Sequence, residues 1–148
     1  MYTVRHLLQE KGNQTWTIAP HATVYEALQM MADKNVGALV VTEGSNVVGI
    51  FTERDYARKV ILQGRSSKTV LVRELMTPNV LYVGPDDTME NCMALMTAHR
   101  TRHLPVMDGG KLAGLVSIGD VVKAVISSHE ITIRELERYI HGGHSSMP

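Results

Sequence analysis

The chain has 148 residues, 44% of them hydrophobic and 20% charged, a balance that fits one compact unit or two small ones and excludes a disordered chain. Lysine plus arginine equals aspartate plus glutamate at 15 each, so no strong net field draws the chain to nucleic acid, an anionic membrane or acidic substrates. A single cysteine excludes a disulfide framework, no apolar run approaches the ~18 residues of a spanning helix, and the first residues lack a signal peptide's apolar stretch. A soluble, cytoplasmic protein is expected.

In chain order, Val4, Leu7 and Leu8 set a short helical period that stops near Gly12, and residues 16–18 form a brief strand closed by Pro20. Thr23 and Glu26 make a capping box for a helix whose apolar positions are Val24, Ala27, Leu28 and Met31. Two strands follow at 38–42 and 47–51, joined by a hairpin loop over 43–46. Thr52 then starts a second helix, with Tyr56, Ala57, Val60 and Ile61 on one face and Gly64 just past its end.

Shifted by 65 positions, this strand-helix-strand-strand-helix order repeats without a gap from Trp16–Ile61 onto Leu81–Ile126. Pro20 matches Pro85, Thr23 matches Thr88, Gly49 matches Gly114 and Asp55 matches Asp120. The lead-in segments 4–8 and 72–76 also correspond, at a shift of 68. The chain therefore divides into a first repeat with its lead-in segment (1–66), a second repeat (67–128) and a C-terminal stretch (129–148). In the last of these, Ser127 with Glu130 caps a helix striped by Ile133, Leu136 and Ile140.

The duplicated phrase carries the chemistry. Residues 49–55 run from Gly49 through Thr52 to Asp55, and residues 114–120 from Gly114 through Ser117 to Asp120. Two readings fit. The hydroxyl and carboxylate make a helix-capping box, or the hydroxyl and free amides meet a phosphate while the Asp accepts hydrogen bonds from a ribose diol. Duplication of the Asp within changed surroundings favours the second, and both roles can coexist. Other candidates are weaker. Cys92 lies on an apolar stripe with Met89, Met93 and Met96 as core filler. His99 and His103 are split between helix and strand, so no metal site is expected, and no nucleophile-base pair marks a catalytic residue or an enzyme.

Taken together, the repeat, the two Gly-to-Asp phrases and the run from Arg102 to Val106 before an Asp-Gly-Gly turn resemble tandem CBS (cystathionine-β-synthase-type) domains, the Bateman module, in the form of a stand-alone CBS-pair protein. The resemblance implies an α+β fold of duplicated β-α-β-β-α units packed about a pseudo-two-fold axis, with two clefts for adenosine-containing ligands: AMP, ADP, ATP, NAD(H) or S-adenosylmethionine. It implies a regulatory homodimer sensing energy or redox state, acting on an unidentified partner protein, with no catalytic cofactor. The alternative is a ligand-free interaction module. Carried over by position, Asp55 and Asp120 bind ribose, with Thr52 and Ser117 beside the phosphates. Thr77, Pro78, Val80 and Tyr82 hold adenine in the Asp55 cleft, and Thr15, Trp16 and Ile18 hold it in the Asp120 cleft. Arg102 and His103 stand where related modules contact phosphate, whereas the first repeat has Gly37 and Ala38, with Arg54 and Arg58 as substitute charge. Phosphate-rich ligands are therefore expected in the second cleft and a bulkier dinucleotide in the first.

Overall fold

The computed structural model describes residues 2–128 and 137–138. Helix α1 (Val4–Lys11) precedes β1 (Thr17–Ile18), α2 (Val24–Lys34), β2 (Ala38–Glu43), β3 (Asn46–Thr52) and α3 (Glu53–Tyr56), which continues as a π-helical turn over Ala57–Ile61. The second repeat follows with α4 (Val72–Leu75), α5 (Met89–His99), β4 (His103–Asp108), β5 (Lys111–Ser117) and α6 (Ile118–Ser128). The fold is α+β, and the duplication read from sequence is present in three dimensions. The expected C-terminal helix striped by Ile133, Leu136 and Ile140 lies outside the described residues.

Strands β1, β2 and β3 form one sheet, β1 parallel and β3 antiparallel to β2, while β4 and β5 pair antiparallel in a second. The expected strand at the head of the second repeat is reduced to a single parallel bridge, Val83 to Val106. Proline explains the loss. In the first repeat Val40 N–H donates to Trp16 O at 3.1 Å; the matching residue, Pro105, has no N–H to donate.

Each repeat buries its own apolar cluster, one around Leu39, Val41 and Phe51, the other around Leu104, Val106 and Val116. Cys92 is buried in the second, and burial pushes its thiol up to about 11, so it stays protonated and inert. The lead-in helices cross over. Val4 and Leu7 of α1 join the second cluster, whereas Val72 and Leu75 of α4 join the first. Val4 and Arg5 N–H donate to Asp87 and Pro85 carbonyls at 2.9 and 2.8 Å. Val72 and Arg73 repeat the pattern on Ala22 and Pro20 at 2.8 and 2.9 Å.

This crossing explains the glycine that opens each motif phrase. Gly49 and Gly114 lie within β3 and β5 rather than in turns, and each faces the incoming lead-in segment. A Cβ at Gly49 would fall 2.5 Å from Met76 Sδ and 3.0 Å from Thr77 O; one at Gly114 would fall 2.7 Å from Leu8 Cδ2. Leu8 and Met76 are matching residues at the 68-residue shift. Glycine is required there for close approach of chain to strand.

Candidate nucleotide clefts

Both capping boxes form. Asp55 N–H donates to Thr52 Oγ1 at 3.2 Å while Thr52 N–H donates to Asp55 Oδ2 at 3.0 Å. Asp120 N–H donates to Ser117 Oγ at 3.2 Å and Ser117 N–H to Asp120 Oδ2 at 2.9 Å. Each box uses one carboxylate oxygen and fixes the Asp at the base of its helix, which leaves the other oxygen to the cleft.

The first cleft, of about 580 Å³, is walled by both repeats. From the first come Gly37, Thr52, Glu53, Arg54, Asp55, Arg58 and Lys59, with Thr77 from the lead-in segment. From the second come Arg100, Thr101, Arg102 and His103. Pro78 sets the wall at Thr77. A residue before proline is held extended, so α4 stops at Leu75 and Thr77 pairs with the edge of β3, its N–H donating to Ile50 O at 2.9 Å. Five cationic side chains thus face two carboxylates, Glu53 and Asp55. Lys59 approaches Asp55 Oδ1 only to 3.4 Å and donates to Leu75 O at 3.0 Å. No described residue forms an ion pair with Arg54, Arg58, Arg100 or Arg102.

The second cleft, of about 400 Å³, is lined by Tyr2, Leu7, Glu10, Lys11, Asp120, Lys123, Ala124 and Ser127. Without a proline at its end, α1 runs on to Lys11 before Gly12 stops it at a positive φ (89°) with extended ψ (161°), a conformation that favours glycine. Lys11 Nζ consequently reaches Asp120 Oδ2 at 2.7 Å and Leu115 O at 2.8 Å. Asp120, expected to bind a ribose, thus holds an ammonium group on the same oxygen that serves its capping box. Burial pushes the Asp120 carboxyl up, but Lys11 and the Ser117 N–H outweigh it and hold the group below its ordinary value. Burial and the Glu10 carboxylate push the Tyr2 phenol up to about 12, so it remains neutral.

Several expected placements are corrected by this geometry. Arg102 and His103 line the Asp55 cleft, so the cationic cleft is the first and not the second. His103, opposite Ser117 in the β4–β5 hairpin, is held below its ordinary value by burial, with Lys11 and Arg102 adding to the effect against Asp120. It enters the cleft as a neutral ring. Arg54 and Arg58 do bring charge there. Gly37 opens onto the same space, but Ala38 is buried in β2. Pro78, Val80 and Tyr82 line a separate groove beside the hairpin turns at Ser45 and Gly110; Val80 also borders a small pocket shared with Thr77 and His103. Thr15, Trp16 and Ile18 are not among the residues lining the Asp120 cleft. Ile18 is core, and Lys34 Nζ covers the Trp16 ring at 4.3 Å, which packs against the first cluster.

Sequence reading missed Lys11, Lys59, Arg100 and Thr101. The signal for Lys11 was available: the lead-in segments match to Leu8 and Met76, after which only one continues without proline.

The family model of the CBS domain matches residues 14–61 and again 72–127. The chain belongs to the CBS-domain family. A CBS-domain protein of Arabidopsis thaliana, CBSX3, is 42% identical over 96% of this chain and 73% of its own length. A solved protein with CBS domains from Burkholderia ambifaria MC40-6 is 55% identical, with a TM-score of 0.81 over 84% of this chain and 94% of that one. The CBS domain pair of protein MJ0100, solved with 5′-methylthioadenosine and S-adenosyl-L-methionine, shares the fold at 22% identity and a TM-score of 0.76, over 86% of this chain and 98% of that one. Such tandem pairs are generally regulatory modules. Among the described residues no helix is long and apolar enough to cross a membrane.

Proposed function

We propose that this CBS pair binds an adenine nucleotide in the Asp55 cleft and reports its level by changing the geometry of a homodimer or of a bound partner protein. The observation that carries this reading is the convergence of Asp55, Thr52 and Thr77 with four guanidinium groups that no described residue neutralises. Asp55 offers the carboxylate for ribose hydroxyls, and Thr52 with the arginines offers donors for phosphate. Arg54 and Arg58 belong to one repeat and Arg100 and Arg102 to the other, so an anion held between them draws the repeats together. That is a differential contact of the kind a ligand-driven shift requires. The MJ0100 pair supports the ligand class, since its fold holds adenosine-containing molecules.

Homodimer formation has a candidate surface. Ile118, Val122 and Ile126 stand at i, i+4 and i+8 on α6, all exposed, and the matching Ile61 of the first repeat is exposed with Leu62. Calorimetry and thermal shift on protein stripped of ligand by unfolding and refolding test the reading with AMP, ADP, ATP, NAD, NADH and S-adenosylmethionine. One ligand per chain is expected, adding about 2.7 kcal/mol of stability at 100-fold its dissociation constant. No response to any of them overturns the reading. The Lys11 to Asp120 contact favours the alternative, an interaction role without ligand, for the second cleft alone.

A further inference from the structure

The two repeats build the same corner and give it opposite charge. In each, a backbone bond ties the helix that ends the repeat to the start of a strand: Glu53 N–H donates to Gly37 O at 3.1 Å, and Ile118 N–H donates to Arg102 O at 2.8 Å. These residues match at the 65-residue shift, Gly37 with Arg102 and Glu53 with Ile118. The second corner carries a guanidinium beside an isoleucine, the first a carboxylate beside a glycine. A Cβ at Gly37 would stand 3.8 Å from both Cδ and Oε2 of Glu53, so the carboxylate lies against the place where a side chain is missing.

Gly37, Glu53 and Arg102 all line the Asp55 cleft. An acidic corner from one repeat therefore shares that space with a basic corner from the other. Glu53 is exposed and forms no ion pair with any described residue, although four arginines border the same cleft. Asp55 differs, since one of its oxygens closes the capping box and the other approaches Lys59 at 3.4 Å. Glu53 is the cleft carboxylate with neither a cap to close nor a cation to meet. A ligand that is anionic throughout is attracted to the arginines and repelled at Glu53, whereas one that separates its charges satisfies both corners. At about 580 Å³ the cleft is of a size that takes such molecules.

We propose that Glu53 is the specificity-determining residue of the Asp55 cleft, and that it selects an adenosine ligand bearing a positively charged group at the end remote from the adenine. The inference rests on the nucleotide reading of that cleft. Two ligands have this charge pattern. Oxidised NAD carries a pyridinium ring beyond its pyrophosphate, and S-adenosylmethionine carries sulfonium and ammonium groups beside a carboxylate. Each has a counterpart of nearly the same shape that lacks one positive charge, NADH in the first case and S-adenosylhomocysteine in the second. With the first pair the cleft distinguishes a redox state, with the second a methylation state.

The test is calorimetry on the full chain, freed of ligand, as wild type and as Glu53→Gln, with AMP, NAD, NADH, S-adenosylmethionine and S-adenosylhomocysteine as probes. Wild type is expected to prefer the cationic member of one pair by roughly threefold to tenfold, the scale of a single charge contact partly screened by solvent. The pair that shows the preference identifies the ligand. Glu53→Gln keeps the shape of the side chain and removes its charge, so that ratio should fall to near one while AMP binding stays the same or tightens. Added salt should shrink the preference of wild type and leave the variant's ratio where it is.

A charge preference that survives in Glu53→Gln overturns the role of Glu53, and so does AMP binding with no preference in either pair; both leave the nucleotide reading standing. If AMP and the four paired ligands all fail to bind, both readings fall together. Glu53 also stands at the first position of a helix, where a carboxylate is favoured, so Glu53→Gln can lower the melting temperature of the free protein slightly. That loss with unchanged ligand ratios would show that Glu53 serves the helix end alone, and it too overturns the proposal.

Discussion

The two clefts of this CBS pair start from one phrase and diverge through residues outside it. Each has a capping box, an Asp at the base of a helix and a glycine that admits a lead-in segment. In the first cleft the lead-in chain is stopped by Pro78 and presents Thr77, leaving Asp55 with the longer 3.4 Å pairing to Lys59 and a wall of arginines. In the second it continues one helical turn further and delivers Lys11 onto Asp120. The repeated motif thus marks two equivalent places in the fold, whereas the length of a neighbouring helix sets which side chain meets the Asp in each.

The strongest way to break this comparison is to remove each Asp in turn. Asp55→Ala and Asp120→Ala each delete a capping box and should each cost about 1 kcal/mol of stability. Binding should separate them. Asp55→Ala is expected to weaken the nucleotide by roughly tenfold or more, from lost hydrogen bonds to a charged group worth ~1.5–3 kcal/mol. Asp120→Ala should leave affinity within about twofold. Equal binding losses, read by calorimetry beside matched denaturant curves, would mean that both clefts are occupied.

The glycines give the next largest effect. Gly49→Ala and Gly114→Ala both overpack a lead-in contact and should destabilise by about 1–3 kcal/mol. The flexible tips of Met76 and Leu8 can yield in part, but at Gly49 the new methyl also meets the Thr77 backbone oxygen. Gly49→Ala should therefore weaken ligand binding as well, and Gly114→Ala should not. Comparable affinities in the two variants would remove Thr77 from the site.

These contrasts show where sequence was informative. Duplicated periodicity, capping boxes and turn residues are local properties, so element order and the positions of Thr52, Asp55, Ser117 and Asp120 were legible. Cross-repeat geometry was not. Nothing in the spacing of Arg102 and His103 tells which cleft a strand's first residues face, because that depends on how the second sheet lies against the first. Trp16 went astray for a related reason: its neighbours are Lys34 and the apolar cluster of its own repeat, contacts that a position beside a strand does not specify. The role of Gly49 and Gly114 was similarly hidden, since close approach involves a lead-in segment belonging in sequence to the other repeat.

A smaller effect is expected from Lys11, but it tests the origin of the asymmetry most directly. Lys11→Met keeps the apolar stem of the helix end and removes the ammonium from Asp120. A second, weaker nucleotide event per chain should then appear in calorimetry. If stoichiometry stays at one with ample ligand, the second cleft is closed by more than Lys11.

The same variant makes a pH prediction with a defined sign. Lys11 and the Ser117 N–H hold the Asp120 carboxyl below its ordinary value of 3.8 against the upward push of burial. A depressed carboxylate stabilises the fold fully above its unfolded value, and that stability disappears as pH falls through the lower folded value. Wild type should thus exceed Lys11→Met in stability near neutrality, by less than about 1 kcal/mol because the lysine is partly exposed and solvent screens the pair. The gap should close once the solution is acid enough to protonate Asp120 in both folded proteins. In the variant, burial acts with less opposition, so the folded-state carboxyl lies closer to its unfolded value, and the acid loss from this group is smaller and complete at a higher pH. Denaturant melts from neutrality to about pH 2.5 read both features. A gap that stays constant through the acid range would show that Lys11 stabilises the chain by packing, and the 2.7 Å contact would then carry no electrostatic closure of the second cleft.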